Sequence, residues 1–354
     1  MNRLRWTWIW LPPFAGAASV LLGASIPSLL LGVVLIVTVL AAVHHAELIA
    51  HKVGEPFGTF LLALAVTVIE VGLILTLMLQ GKAGAETLAR DTVFSAVMII
   101  LNGLLGAFIL LGALRHREQS FQQVGVSASL ATLCTLTVLT LVLPNFSSSA
   151  GPYYAPSQLA FVAIVSLLLY LTFVTVQTVR HRDYFLPPEE AAADLEAHAP
   201  PPGNGETLLS GAILIACLVE VVLLAKALAP AIEDGVASAG LPHAVVGVVI
   251  AALVLLPESV AAVRAAMANR LQTSLNLALG SALATIGLTI PAVAVLSLFQ
   301  GLPLALGLDS RGIVLLSLTL LVTTQSLATA RTTVLQGVVH LVIFGVFVFT
   351  TLVP

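Results

Sequence analysis

The chain has 354 residues, of which 59% are hydrophobic and only 9% are charged. An average soluble domain carries about 25% charged residues, and a water-soluble fold cannot cover so much apolar surface. The formal net charge is -3 at pH 7, and no basic cluster interleaved with aromatic residues points to a nucleic-acid partner. The composition therefore predicts an integral membrane protein surrounded by lipid. Period-2 alternation is missing, which argues against a membrane β-barrel.

Eleven apolar runs are long enough to cross about 30 Å of hydrocarbon as helices. The predicted spans cover approximately 9–25, 27–46, 57–80, 93–114, 125–144, 157–178, 208–229, 242–263, 273–298, 312–328 and 334–353. Arg3 and Arg5 precede the first run, as they would in a signal peptide. Because the hydrophobicity continues beyond Pro12-Pro13, we interpret this run as a retained helix, with a cleaved signal peptide as the alternative.

The basic residues in the loops predict the orientation. Ten of the 14 lysines and arginines fall on one side of the membrane and four on the other. The side richer in Lys and Arg is expected to be cytoplasmic. We therefore expect a protein of the plasma (bacterial inner) membrane, with its N-terminus in the cytoplasm and Pro354 outside.

A long hydrophilic stretch from Arg180 to Glu206 contains proline clusters and six acidic residues. Such a segment cannot bury a core and is typical of a flexible cytoplasmic linker. It separates five spans from five, so the two halves must have opposite orientations, as in transporters with inverted repeats. The expected fold is an all-α polytopic membrane protein. It would comprise an N-terminal helix (1–26), a first repeat (27–179), the linker (180–207) and a second repeat (208–354).

Two glutamates, Glu70 and Glu258, lie inside apolar spans, each in the second span of its half. A charge at the centre of a membrane helix costs about 2.5–3.5 kcal/mol on insertion scales, and such residues usually serve a function. Two acids at matching positions therefore predict one ion-binding site. The alternative is that each glutamate is protonated and only locks helices together by hydrogen bonds.

Oxygen donors surround both glutamates in the sequence. Thr67 shares the helical face of Glu70, and Pro257 before Glu258 frees a backbone carbonyl upstream. The following span carries small and polar residues, for which ordinary helix packing is the alternative. Carboxylates with neutral oxygens and no sulfur suit a hard cation such as Ca²⁺ or Na⁺. The donors expected beside the carboxylates are Thr67, Ser259, Asn276 and Ser281.

A carboxylate pair at the midplane would hold protons whenever no cation is bound, because the doubly charged form is costly in hydrocarbon. Either two protons or one divalent cation would neutralise the pair. This arrangement predicts exchange of a cation for protons, without any cofactor. The sequence contains no nucleotide-binding loop and no Gly-x-Ser-x-Gly motif.

A second polar group ends the second predicted span. His44, Glu47 and His51 lie at i, i+3 and i+7, and Glu55 follows just before Pro56. We interpret this patch as a cytoplasmic entrance or pH sensor for cations and protons. Polar residues at a helix end are the plain alternative. A zinc site, or a metalloenzyme within the membrane, is a remote one because the spacing is not H-E-x-x-H.

Two motifs resemble those of ChaA-type calcium and sodium/proton antiporters, within the calcium/cation antiporter superfamily. The first is Gly54-Glu55-Pro56-Phe57-Gly58-Thr59 with Val68-Ile69-Glu70-Val71, and the second is Leu256-Pro257-Glu258-Ser259 with Asn276 to Thr285. The resemblance extends from about residue 40 to the end of the chain. It differs at Val66-Thr67-Val68-Ile69, where the commoner motif has Gly-Asn before the acid.

The resemblance implies two inverted five-helix repeats with an additional N-terminal helix, and it matches Glu70 and Glu258 to the acidic ion-binding positions. It implies a secondary antiporter that expels Ca²⁺, and also Na⁺ or K⁺, in exchange for H⁺. A monovalent-only antiporter is the close alternative, and a passive channel is a further one.

Overall fold

The computed structural model describes residues 15–16, 27–54, 57–79, 84–147, 151–186 and 202–353. Ten helices run through these residues, and each corresponds to one of the last ten predicted spans. The first predicted span, 9–25, lies outside the described residues except for Ala15 and Gly16. Glu55 also lies outside them, as do residues 187–201 of the predicted linker, whose boundaries therefore stay a prediction.

The ten helices occur in two groups of five. They are α1 (Ser28–Val53), α2 (Phe57–Leu79), α3 (Ala85–His116), α4 (Gln123–Phe146), α5 (Pro156–Arg180), α6 (Asn204–Ser238), α7 (Ala244–Met267), α8 (Leu271–Gln300), α9 (Ser310–Ser326) and α10 (Val334–Leu352). Helix α3 contains a π-helical segment, Ile99–Leu104, and α4 and α5 end in irregular helical turns. Two short strands, β1 (Gln119–Ser120) and β2 (Arg331–Thr332), pair antiparallel between the two groups.

Seven of the described helices are long and apolar enough to cross a membrane, and α7 makes eight if its two parts form one span. Helix α7 bends by 52° between Ala244–Leu256 and Glu258–Met267. Proline removes a helical hydrogen bond, so Pro257 at this point accounts for the bend. The all-α polytopic class is thus confirmed, whereas the count of eleven spans is not.

Each main contact between the two halves has a counterpart in which the corresponding helices of the two halves change places. Helix α2 packs against α8 as α7 packs against α3, and α5 packs against α8 as α10 packs against α3. The first helices of the two halves, α1 and α6, pack against each other. This is the contact pattern of two repeats related by a pseudo-twofold axis. It brings the second helix of each half, which carries the glutamate, against the third helix of the other half.

Glycine allows close approach between packed helices. A Cβ atom placed on Gly247 of α7 would lie 2.9 Å from the backbone carbonyl carbon of Asp91 in α3. Real Cβ atoms do not approach backbone so closely, so any side chain at 247 must push α3 and α7 apart. Small residues at helix crossings are the usual means of close packing in membranes.

We predict that Gly247→Val destabilises the protein, because overpacking a rigid contact costs about 1–3 kcal/mol. The same change at Gly345 is the matched control, since a Cβ there would lie more than 4 Å from every described atom beyond its own stretch of helix. The fraction of purified protein that stays monodisperse after stepwise heating measures the effect. Equal heat resistance in both variants would contradict the proposed role of Gly247.

Candidate ion-binding site

The two intramembrane glutamates meet on one helix, α8. The hydroxyl of Thr285 donates a 2.7 Å hydrogen bond to Glu70 Oε2. The hydroxyl of Ser281 donates a 2.8 Å hydrogen bond to Glu258 Oε2. Helix α2 from the first half and α7 from the second half thus present their carboxyl groups to the same face of α8.

Ser281 and Thr285 are four residues apart, so they lie one above the other on α8, with Cβ atoms about 5–6 Å apart. The two carboxyl groups they bind are therefore neighbours on this face. Both side chains are buried, with exposed fractions of 2% for Glu70 and 1% for Glu258. The pair forms one site, closed to water in this conformation.

Each carboxyl group uses only one of its oxygens within the described structure. Glu70 Oε1 and Glu258 Oε1 are buried and have no hydrogen-bond partner there. A buried polar atom of this kind usually pairs with a proton, a water or an ion. The site therefore offers two carboxylate oxygens beside two hydroxyl oxygens, which is a ligand set for a hard cation.

Of the predicted donors, Ser281 lies directly at the site, and Thr67 is buried one helical turn before Glu70. Thr285 belongs to the site as well, although the predicted donor set did not include it. The available signal was its four-residue spacing from Ser281, which places both hydroxyls on one face of α8.

The other two predicted donors form hydrogen bonds elsewhere. The hydroxyl of Ser259 donates to the carbonyl of Leu255 in the preceding turn of α7, at 2.7 Å. The amide nitrogen of Asn276 donates to the carbonyl of Phe185 at 2.6 Å, and its oxygen accepts from Gln272. In this conformation Asn276 therefore ties α8 to the segment after α5.

The polar patch at the end of α1 divides into two faces. His44, Glu47 and His51 share one exposed face, as their spacing predicts. His45, which was not among the predicted site residues, is 1% exposed, and neither ring nitrogen has a hydrogen-bond partner in the described structure. Among the described residues, no three His, Cys, Asp or Glu side chains are grouped to hold a metal ion. The described residues therefore do not support the remote alternative of a zinc site.

A separate buried hydrogen-bond network joins α3, α9 and α10. Asn102, in the π-helical segment of α3, donates to Thr319 Oγ1 at 2.9 Å and lies 3.3 Å from His340 Nδ1. His340 Nε2 lies 3.2 Å from the hydroxyl of Ser326. Since both ring nitrogens are engaged by neutral groups, this histidine holds helices together.

Comparison with known proteins identifies the chain's family. A family model described as sodium/calcium exchanger protein matches residues 24–179 and 209–353. The chain belongs to this family. Its similarity to named relatives runs along nearly the whole chain. A Sinorhizobium fredii protein named as an ionic transporter, y4hA, is 50% identical over 98% of this chain and 96% of its own length. The sodium-potassium/proton antiporter ChaA of Escherichia coli is 34% identical over 88% of this chain and 84% of its own length.

Solved structures share the fold. The structure of native YfkE superposes with a TM-score of 0.72 at 17% identity, covering 98% of this chain and all of that one. The H⁺/Ca²⁺ exchanger CAX gives a TM-score of 0.71 at 16% identity over 96% of this chain and 86% of its own. The family model and the 34% identical relative confirm the family expected from the motifs, and they place the protein among secondary transporters rather than enzymes.

We predict that Thr285→Val lowers the stability of the purified protein, because Glu70 Oε2 would lose its described donor while remaining buried. An unsatisfied buried group costs about 1–3 kcal/mol. Thr285→Ser keeps the hydroxyl and is the control. The thermal aggregation midpoint in detergent distinguishes them, and a valine variant as stable as the serine variant would show that this hydrogen bond does not matter.

Proposed function

We propose that the protein is a cation/proton antiporter in which Glu70 and Glu258 alternately bind a cation and protons. The observation that supports this most directly is their placement. Two buried carboxyl groups share one face of α8, each with one oxygen held by a hydroxyl and one without a partner in the described structure. Such a pair can be neutralised by protons or by a cation, and exchange follows from the choice between them.

Electrostatics makes the cation and the protons compete for the Glu70–Glu258 pair. A pair of ionised carboxylates in a closed, apolar site would carry two uncompensated charges, which is very costly. A site that must close before it can open to the other side therefore closes only when it is occupied. A divalent cation or two protons satisfy this condition equally, so cation movement one way requires proton movement the other way.

Charge balance makes Ca²⁺ the first candidate, because one divalent cation replaces two protons without leaving a net charge. Two relatives support this choice, since proteins of Aphanothece halophytica and Bacillus subtilis, 24% and 23% identical to the chain, are named Ca²⁺/H⁺ antiporters. Na⁺ and K⁺ are second candidates because the 34% identical relative is named a sodium-potassium/proton antiporter. With a monovalent ion, one carboxyl group would keep its proton.

We place the cytoplasmic entrance at the end of α1, on the basis of the predicted orientation. His44, Glu47 and His51 form its exposed face, and Glu55 follows them in the sequence. An exposed carboxylate attracts cations, and an imidazole nitrogen can contact a cation or carry a proton. This patch would supply the site from the side of the predicted linker.

We predict that Glu70→Gln and Glu258→Gln each abolish exchange. Removing one partner of a buried charge pair costs about 2–5 kcal/mol, which is about 30-fold or more in affinity. Everted vesicles with a pH-sensitive dye measure proton flux after addition of Ca²⁺, Na⁺ or K⁺ in separate runs. The ions that drive flux in the unmodified protein define its selectivity.

Glu118→Gln is the matched control for this experiment, because Glu118 is exposed and pairs with the exposed Arg331. It should transport normally. Undiminished exchange in either Glu70→Gln or Glu258→Gln, at equal amounts of protein in the membrane, would refute the proposed mechanism.

We also predict that the cation concentration for half-maximal exchange falls as pH rises. Protons compete for the same two carboxyl groups, so affinity should change by about tenfold per pH unit for each proton displaced. Titrations of the initial rate at several pH values test this. A half-maximal concentration that is independent of pH would mean that protons and cations bind at different places.

A further inference from the structure

A third glutamate, Glu220, lies within the membrane in the middle of α6. The proposed exchange does not use it. Glu220 Oε2 is buried and has no hydrogen-bond partner within the described structure. A carboxyl group in that position needs either a proton or a cation, since an isolated charge there is costly.

The level of Glu220 in the membrane follows from helix contacts. Gly58 at the start of α2 contacts Ala50 near the end of α1, so these helices are antiparallel. Gly32 in α1 contacts Leu228 in α6, far from the start of α6, so α1 and α6 are antiparallel as well. Helices α2 and α6 therefore run in the same direction.

The contact between α2 and α6 gives their register. A Cβ atom on Gly72 would lie 2.8 Å from Val222 Cγ2. Glu70 and Glu220 each lie two residues before this contact, so they stand at the same depth. Two residues turn a helix by about 200°, because 3.6 residues complete a turn. Both glutamates thus point away from the α2–α6 contact, Glu70 toward α8 and Glu220 toward α1.

The group beside Glu220 is Thr38 of α1. A Cβ atom on Gly16 would collide with Glu220 Oε2 and lie 3.3 Å from Thr38 Oγ1, so both oxygens border the same gap. Thr38 is fully buried and donates its hydroxyl proton to the carbonyl of Val34 at 2.9 Å. Its oxygen can therefore accept a hydrogen bond, which a protonated carboxyl group can donate and a carboxylate cannot.

Among the described residues of the helices packed around Glu220, the ionisable groups offer no compensating charge. Arg264 of α7 lies in the last turn of that helix. On α6 itself, Cys217 is buried one turn earlier, and Lys226 is exposed six residues later. On α2, Glu70 is the only ionisable side chain, and it binds Thr285 of α8. On α7, Glu258 binds Ser281, also of α8. The ionisable residues of α1 are at least six residues closer to its end than Thr38: His44, His45, Glu47, His51 and Lys52.

We propose that Glu220 is a third proton-binding carboxyl group in the membrane, separate from the Glu70–Glu258 pair and kept protonated against Thr38. A metal cation fits less well, because Ca²⁺ takes six to eight oxygens, and among the described residues one carboxyl group and one hydroxyl border this gap. Loss of the proton would place an uncompensated charge between α1 and α6. The site therefore makes the packing of the two leading helices sensitive to pH.

Labelling with dicyclohexylcarbodiimide tests the site directly, since this apolar reagent adds to protonated carboxyl groups buried in membranes. Mass spectrometry of the digested full-length protein should find the adduct on Glu220 at mildly acidic pH and less of it as pH rises. Glu206, exposed at the start of the same helix, is the internal control and should stay unlabelled. Glu220→Gln should remove only the adduct at position 220.

Added Ca²⁺ or Na⁺ separates this site from the transport site. The transported ion should protect Glu70 and Glu258 from the reagent and leave labelling of Glu220 unchanged. No label on Glu220 under conditions that label the pair would overturn the proposal, and so would full protection by the ion. Label on Glu220 with none on the pair would instead count against the proposed exchange mechanism alone.

Transport gives a second, independent readout. Glu220→Gln should exchange cations within about twofold of the unmodified rate at mildly acidic pH, because sites without shared partners act independently and Glu220 points toward α1, away from the pair. Its rate should then change less between acidic and alkaline pH than that of the unmodified protein. Complete loss of exchange in a correctly assembled Glu220→Gln protein would place Glu220 on the transport path and contradict a separate site.

Discussion

An ionised carboxylate cannot remain buried and unpaired in a membrane, and this constraint governs the whole structure. Glu70 and Glu258 are both almost completely buried. Each must therefore carry a proton, bind a cation or face a charged partner. Among the described residues, no basic side chain hydrogen-bonds to either carboxyl group. In the proposed mechanism, protons and cations that enter and leave the site provide the neutralisation.

The fold meets this constraint by packing helices of one repeat against helices of the other. Each glutamate stands on the second helix of one half, and both carboxyl groups reach α8. Ser281 and Thr285 hold one oxygen of each acid, one helical turn apart. The bend of α7 at residue 257 lies directly before Glu258.

The sequence predicted much of this arrangement, because hydropathy and burial of charge are strong local signals. It predicted the ten described helices and the burial of Glu70 and Glu258 inside them. It placed the start of α3 at residue 93, whereas the helix begins at Ala85. The first turns of α3 are polar, and distant parts of the chain hold them: Arg90 donates to the carbonyl of Gly307, and Tyr153 donates to Glu86. Contacts of this kind leave no periodic pattern in the sequence.

The details of the site were harder to predict for the same reason. Ser259 is adjacent to Glu258, yet its hydroxyl bonds within its own helix. Asn276 bonds to Phe185, which is remote in the sequence. Thr285 contributes a hydroxyl because it lies four residues after Ser281, on the same face of α8. Side-chain direction at a helix crossing depends on the register of two helices, and one sequence segment does not contain that information.

In the proposed mechanism, one pair of carboxyl groups binds either the cation or protons. Proton release on cation binding tests it most directly, with purified protein in weakly buffered detergent and a pH indicator. If Ca²⁺ is transported, its binding should release two protons from each protein molecule. If the transported ion is monovalent, its binding should release one proton. A protein with both Glu70→Gln and Glu258→Gln should release none. Stoichiometric binding of the transported cation without proton release would contradict the account.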